Sequence, residues 1–99
     1  MIHESTITVA ADHPAFAGHF PGRPILPGVV LLGLAVRALG NVSGHPLPRY
    51  EIAAAKFLRP VGPDTELRIR LGESASGWRF DIFAADDVVA TGTLRVGAP

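Results

Sequence analysis

The sequence predicts one α+β domain over residues 1–99, in which a curled antiparallel sheet is wrapped around a single central helix. The stretch that follows Pro27 is apolar on nearly all sides, so a helix there has to be enclosed by the rest of the chain. Short runs in which apolar and polar residues alternate stand before and after this stretch and indicate strands. Turns that contain Gly, Pro and Asp separate the later runs, as antiparallel neighbours require.

The first strand is predicted at Ser5–Ala10, with Ile7 and Val9 on one face and two threonines on the other. The Asp12-His13-Pro14 sequence ends this strand, because proline donates no backbone hydrogen bond and restricts the residue before it. We therefore expect a turn there, followed by a long Gly/Pro-rich loop that continues to about Leu26. Long loops in compact domains are often functional.

The helix is predicted to begin at Gly28 and to end near Leu39. Pro27 suits the first turn, where a missing N–H is tolerated, and Gly40-Asn41 is a typical stop signal. Arg37 is the only charged residue of the segment, so we expect the helix to be surrounded by the sheet on most sides.

Four strands are predicted after the helix, at Tyr50–Leu58, around 66–71, around 78–82 and at Val88–Val96. Trp78, Phe80 and Ile82 form one face of their strand and are interpreted as core residues. A turn is predicted at Gly72–Gly77, and Asp86-Asp87 provides a tight hairpin. We expect the last strand to lie at an edge of the sheet.

Composition excludes several classes of function. Hydrophobic residues make up 47% of the 99 residues and charged residues only 18%, so we expect part of the surface to be an interface. The nine basic and nine acidic residues cancel, which argues against nucleic acid as a partner. No cysteine is present for disulfides, thiol nucleophiles or cysteine-bound zinc. The longest apolar stretch is too short for a membrane span and no signal-like start is recognisable, so we expect a cytoplasmic protein without a membrane partner.

Two segments resemble a known family. The stretch AFAGHFPGRPILPGVVLL, residues 15–32, resembles the active-site segment of the 3-hydroxyacyl-(acyl carrier protein) dehydratases of the hot-dog fold. The stretch KFLRPVGPDTEL, residues 56–67, resembles their second recurring segment, and the likeness extends over the closing strand. Short members associated with aryl-polyene synthesis are the most similar, so we expect the chain to lack the N-terminal helix and first strand of longer members.

The resemblance implies that His19 is the catalytic base. Dehydration of a 3-hydroxyacyl thioester requires removal of the proton next to the carbonyl, and an imidazole titrates near working pH. Phe20 and Pro21 follow His19 and are expected to hold it in an apolar pocket and to contact substrate. Without the resemblance, a loop histidine has a structural role more often than a catalytic one.

The helix start suits the polarisation of the thioester carbonyl. Backbone N–H groups at Gly28 and Val29 belong to the unpaired donors of the first turn, where the helix dipole adds partial positive charge. The resemblance points to Gly28 as the catalytic donor and to Val29 as a substrate contact. The alternative is that Pro27-Gly28 only starts a helix.

The acid that assists the departing hydroxide is not evident. In the family an Asp or Glu on the central helix reaches an active site formed with a partner subunit, and the matching position is Gly33. Gly33 then serves close packing or leaves room for an acyl chain. Arg37 lies one turn later and can orient a water or contact the phosphate of the carrier, unless it only extends to solvent.

Charged and metal-ligating candidates outside this segment are weaker. Arg23 and Arg59 are candidates for attracting an acidic carrier protein and its phosphopantetheine arm, although scattered arginines are usually surface charge. No metal site is predicted, since His13 and His19 lack a third ligand. We expect His3 to be solvated.

Three functions remain open from the sequence. The first is a homodimeric dehydratase that converts 3-hydroxyacyl thioesters into trans-2-enoyl thioesters in fatty-acid or polyene-type synthesis. Its substrate is carried on the phosphopantetheine of an acyl carrier protein, or on coenzyme A, and no cofactor is implied. The second is a non-catalytic acyl-carrier-binding subunit that forms a heterodimer with a paralogue. The third is a thioesterase.

Overall fold

The computed structural model describes residues 2–10, 12–13, 25–43, 50–75 and 77–96. They form one helix and five strands, which are β1 (Ile2–Thr8), α1 (Gly28–Ser43), β2 (Tyr50–Phe57), β3 (Glu66–Ser74), β4 (Gly77–Ala84) and β5 (Asp87–Val96). The strands pair antiparallel in one sheet with the order β1-β3-β4-β5-β2. This arrangement confirms the predicted architecture of one strand, one helix and four further antiparallel strands.

The core lies between α1 and one face of the sheet. Its buried side chains include Leu67, Ile69 and Leu71 on β3 and Leu31, Ala35 and Leu39 on α1. Phe80 and Ile82 of β4 are fully buried, and Trp78 is half-buried at the margin of the core, as the predicted core face requires. Each fully buried leucine, isoleucine or phenylalanine contributes about 1.5–3 kcal/mol, so this face holds the domain together.

Helix α1 packs against the core over most of its surface and leaves one row exposed. This row has four-residue spacing and is made of Val29, Gly33, Arg37 and Asn41. The remaining apolar side chains of the helix are buried or pack against the core, so the predicted curled sheet around one central helix is confirmed, with this one row left uncovered. Among the described residues, no helix is long and apolar enough to cross a membrane.

The helix begins at the predicted residue, Gly28, but ends four residues later than predicted, at Ser43 rather than Leu39. Gly40-Asn41 does not stop it. Leu39 is buried and Val42 packs against the core, so tertiary contacts outweigh the weak helix propensity of the intervening pair.

Strand boundaries differ from the predictions where pairing extends a strand. β1 is Ile2–Thr8 rather than 5–10, because its residues pair with β3 as far as Ile2 opposite Gly72. Val9 is buried as predicted, although it follows the strand. The turn predicted at 72–77 is shorter, since β3 continues to Ser74 and β4 begins at Gly77.

The predicted edge position of the last strand is wrong. β5 pairs with β4 on one side and with β2 on the other, so it lies inside the sheet. The edge strands are β1 and β2. An alternating pattern predicts a strand and its buried face, but it carries no information about which strands lie on either side.

Gly92 of β5 allows a close approach between β5 and its two neighbours. It lies opposite Ala55 of β2 and Phe80 of β4, near an irregularity in β2 between Ile52 and Ala54. A Cβ atom at Gly92 would overlap the carbonyl oxygen of Ala54 and would lie 2.7 Å from Cε2 of Phe80. A side chain at this position is therefore incompatible with the observed packing.

Gly92→Ala is expected to lower the free energy of unfolding by about 1–3 kcal/mol, because the added methyl group overpacks the sheet. Gly72→Ala on β3 is the matched control, since its added methyl group meets no atom within 4 Å. Urea denaturation of both variants measures the difference. A loss of the same size in both variants would contradict this explanation.

Candidate active site

The start of α1 presents two backbone donors. Gly28 is the first residue of the helix, and the N–H of Val30 donates to the carbonyl oxygen of Pro27 at 3.0 Å. Neither Gly28 nor Val29 donates its N–H to an acceptor among the described residues. Unpaired donors of a first helical turn carry partial positive charge, so this end of α1 can polarise a carbonyl group.

The ring of Phe57 covers this helix start. Phe57 is the last residue of β2 and lies opposite Ala90 of β5. A Cβ atom at Gly28 would lie 2.9 Å from Cζ and 3.0 Å from Cε1 of the ring. The contact therefore requires glycine at the first position of α1 unless the ring moves. The backbone is fixed beyond the ring, since the N–H of Leu58 donates to the carbonyl oxygen of Val89 at 2.8 Å.

A backbone hydrogen bond joins the two segments on which the family resemblance rests. The N–H of Leu26, just before the helix, donates to the carbonyl oxygen of Val61 at 2.8 Å. Both side chains are buried in the core. Beyond Val61, the N–H of Asp64 donates to the carbonyl oxygen of Val9 at 2.9 Å, which connects the same loop to the end of β1. The helix start thus has a fixed position relative to the sheet.

A cavity of about 320 Å³ lies beside the helix start. Both segments line it, with Gly28 and Leu31 on one side and Phe57, Leu58 and Arg59 on the other. Most of its wall is apolar and it is open to solvent, so a thioester can enter it beside the donors of the helix start.

Arg59 is the cationic residue of this cavity wall. Its guanidinium lies 3.9 Å from the carboxylate of Asp87, and both side chains are more than half exposed. An exposed pair of this kind contributes little to stability, so Arg59 can exchange Asp87 for an incoming anion at small cost. Its predicted role in attracting a carrier remains a prediction.

Gly33 and Arg37 lie on the exposed side of α1, away from this cavity. An added Cβ at Gly33 would meet no atom within 4 Å, so the position has room for a side chain. Arg37 is exposed and forms no ion pair with a described residue. Val29 occupies the same row and is 72% exposed. A single protomer therefore does not bring Gly33 and Arg37 to the helix start.

Four predicted site residues lie outside the described residues, namely His19, Phe20, Pro21 and Arg23. The predicted turn at His13 is confirmed, since its N–H donates to the carbonyl oxygen of Ala10 at 3.0 Å. No group of three His, Cys, Asp or Glu residues with metal-site geometry occurs within the described ranges.

His3, predicted to be solvated, is only partly exposed. β1 begins early enough to place His3 opposite Leu71, and its ring lies half-buried with its centroid 6.1 Å from that of Trp78. The sequence also did not predict that Phe57 and Leu58 line the cavity at the helix start. The likeness of residues 56–67 to the second family segment was the signal that pointed to them.

Comparisons with known proteins identify the family of this chain. A model of the ApeI-like family, described as ApeI dehydratase, matches residues 2–93. The 3-hydroxyacyl-(acyl-carrier-protein) dehydratase FabZ of Gluconacetobacter diazotrophicus is 38% identical over 102 residues, covering 91% of this chain and 63% of that protein. FabZ of Gluconobacter oxydans is 37% identical, covering 91% and 60%. The chain thus spans about three fifths of the length of these relatives.

Solved structures share the fold. The dehydratase heterocomplex ApeI:P from Xenorhabdus doucetiae superposes with a TM-score of 0.79 at 20% identity, covering 95% of this chain and 85% of that chain. A probable thioesterase from Bartonella henselae superposes with a TM-score of 0.66 at 14% identity, covering 94% and 85%. These similarities confirm the predicted hot-dog fold.

Proposed function

Because this chain belongs to the ApeI-like dehydratase family, we propose that it dehydrates 3-hydroxyacyl thioesters to trans-2-enoyl thioesters in cytoplasmic fatty-acid or polyene-type synthesis. The substrate is carried on the phosphopantetheine of an acyl carrier protein, and the reaction requires no further cofactor. One observation carries the proposal: the N–H groups of Gly28 and Val29 lack acceptors among the described residues, and Gly28 lines a mostly apolar cavity.

In the proposed reaction, His19 removes a proton from the carbon next to the thioester carbonyl. The electron pair of that C–H bond forms the new double bond, and the bond between the third carbon and its hydroxyl oxygen breaks. The hydroxyl group leaves as water after it takes up a proton, which His19 can return. Phe20 and Pro21 hold the imidazole beside the substrate.

The helix start stabilises the negative charge that develops on the carbonyl oxygen during proton removal. The amides of Gly28 and Val29 are held in place by the hydrogen bond between Leu26 and Val61, so they need no rearrangement when the charge appears. Donors of this kind typically contribute about 10²–10³-fold to turnover.

The helix position that holds an acid in the resembling dehydratases is Gly33, so in this proposal His19 serves as both base and acid. Arg37 lies on the exposed row, so it orients the departing water only in a dimer whose active site is shared with the partner subunit. Arg23 and Arg59 attract the acidic carrier and the phosphate of its arm.

We further propose that two copies of the chain associate along β2. Apolar side chains are exposed there, among them Ile52, at 42%, and Phe57, at 49%. Val29 on the adjacent helix row is exposed as well. At the opposite edge, β1 exposes mainly polar side chains besides Ile2. An apolar edge strand of this kind favours pairing with another chain.

Ile52→Lys is expected to weaken a homodimer by at least about tenfold in Kd, because it places a charge in the proposed interface. Ile2→Lys is the matched control, since Ile2 is 67% exposed on the opposite edge strand. Sedimentation equilibrium of parent and variants measures the association. Equal weakening by both substitutions would contradict association along β2.

A heterodimer is the second candidate, and Gly33 favours it, because a paralogue with an acid at the matching position would complete the active site. The structural neighbour from Xenorhabdus doucetiae is itself a dehydratase heterocomplex. In that case this chain binds the acyl carrier and contributes to a site completed by its partner.

Product analysis by mass spectrometry tests the proposed function. The purified chain is incubated with 3-hydroxyacyl thioesters on an acyl carrier protein, and an enoyl product lighter by one water is expected. Free 3-hydroxy acid would indicate a thioesterase instead. Enoyl product that forms only after a paralogue is added would indicate the heterodimer.

A further inference from the structure

Phe57 is placed to control what fits at the helix start. The three atoms nearest to an added Cβ at Gly28 all belong to the Phe57 ring, at 2.9, 3.0 and 3.1 Å. The room between the ring and the first turn of α1 is therefore smaller than one methyl group. Phe57 also lines the 320 Å³ cavity, together with Leu31.

The ring is held from its own strand. Phe57 pairs with Ala90 of β5, and the next amide, of Leu58, donates to Val89. Since pairing fixes the backbone on both sides of the ring, the ring can withdraw from Gly28 only by rotation of its side chain. The Phe57 side chain is half exposed, and the outer atoms of its ring are the ones nearest to Gly28. Phe57 therefore forms a wall of the cavity and does not belong to the buried core.

We infer that Phe57 determines substrate specificity by excluding thioesters that carry a methyl group on the carbon next to the carbonyl. The inference rests on the proposed function, in which the carbonyl oxygen binds at Gly28 and Val29. The carbon in question is two bonds from that oxygen, so its substituents lie where the ring limits the space. A 2-methyl substrate retains one proton on this carbon, and its dehydration loses that proton and the hydroxyl group as water.

The test compares unbranched and 2-methyl-branched 3-hydroxyacyl-pantetheine thioesters of equal chain length. Phe57→Ala is expected to raise the ratio of kcat/KM for the branched substrate to that for the unbranched one by about tenfold or more. Leu58→Ala is the matched control. Leu58 lines the same cavity, but none of the three atoms nearest to an added Cβ at Gly28 belongs to it. Its ratio is expected to stay within about twofold of the parent.

The ratio separates specificity from stability. Both substrates meet the same folded molecules, so a smaller folded fraction lowers both rates equally and leaves the ratio unchanged. Phe57→Leu, which keeps an apolar side chain, provides a second variant if Phe57→Ala does not fold. An unchanged ratio in a variant that still dehydrates the unbranched substrate overturns the inference and leaves the proposed function standing.

Calorimetric binding of the two thioesters covers the case in which the parent dehydrates neither. The parent would then bind the unbranched thioester more tightly than the branched one, and Phe57→Ala would bind both equally. This result would support the role of Phe57 and would contradict only the proposed reaction. Equal binding of both thioesters by parent and variant would overturn the inference as well.

Discussion

His19→Ala is expected to lower the rate of enoyl formation by about 10²–10⁴-fold, the range that a positioned base contributes. The amides of Gly28 and Val29 would still polarise the thioester carbonyl in this variant, but no described side chain at the cavity is placed to accept the proton from the neighbouring carbon. Single-turnover measurements with 3-hydroxyacyl carrier substrate, followed by mass spectrometry, separate this loss from any change in substrate binding.

His13→Ala is the matched control for that experiment. His13 lies in the same part of the sequence, in an exposed turn, and is not expected to contact substrate. Its substitution should change turnover less than about twofold, as surface substitutions usually do. If His19→Ala were as active as the parent, His19 would not be the base.

Gly33→Glu is expected to raise turnover by about tenfold or more, since a positioned general acid contributes about 10²–10⁴-fold. The position tolerates a side chain, because an added Cβ meets no atom within 4 Å and Gly33 lies on the exposed side of α1. The proposed function matches this position to the helix acid of the resembling dehydratases, at a site shared with a partner subunit. Steady-state kinetics of the purified variant measures the gain.

Gly33→Ala is the control that separates the effect of the added carboxyl group from the effect of replacing a helix glycine. Both substitutions replace a glycine within the helix, and alanine stabilises such a position by about 1 kcal/mol. We therefore expect thermal stability to rise in both variants and turnover to rise only in Gly33→Glu. Unchanged turnover in both would mean that the acid is not limiting and that His19 returns the proton unaided.

Local sequence patterns were sufficient to predict most of the fold. Pro27-Gly28 predicts the helix start because the requirements of a first turn involve only neighbouring residues. The alternation of Leu67, Ile69 and Leu71 predicts β3 and its buried face because the period of a strand is two. The interior position of β5 was not predictable in this way, since strand order depends on pairing between residues far apart in sequence.

In the candidate site, too, local features were predictable and contacts between distant segments were not. Gly28 and Val29 were predicted from the dipole and unpaired donors that every helix start has. The contact between the Phe57 ring and Gly28 was not predicted, because it depends on the pairing of β2 with β5. The exposure of Gly33 follows from a five-stranded sheet that leaves one row of the helix uncovered, which no property of the helix segment reveals.

The hydrogen bond between Leu26 and Val61 has a consequence for the time at which the site forms during folding. Leu26 lies just before α1 and Val61 just after β2. The chain between them has to close into a loop before this hydrogen bond forms, and loop closure costs conformational entropy. During synthesis, a nascent chain that ends before Phe57 contains the residues of the helix start but not those that cover it. The binding cavity therefore requires both the helix start and the end of β2 to be in place.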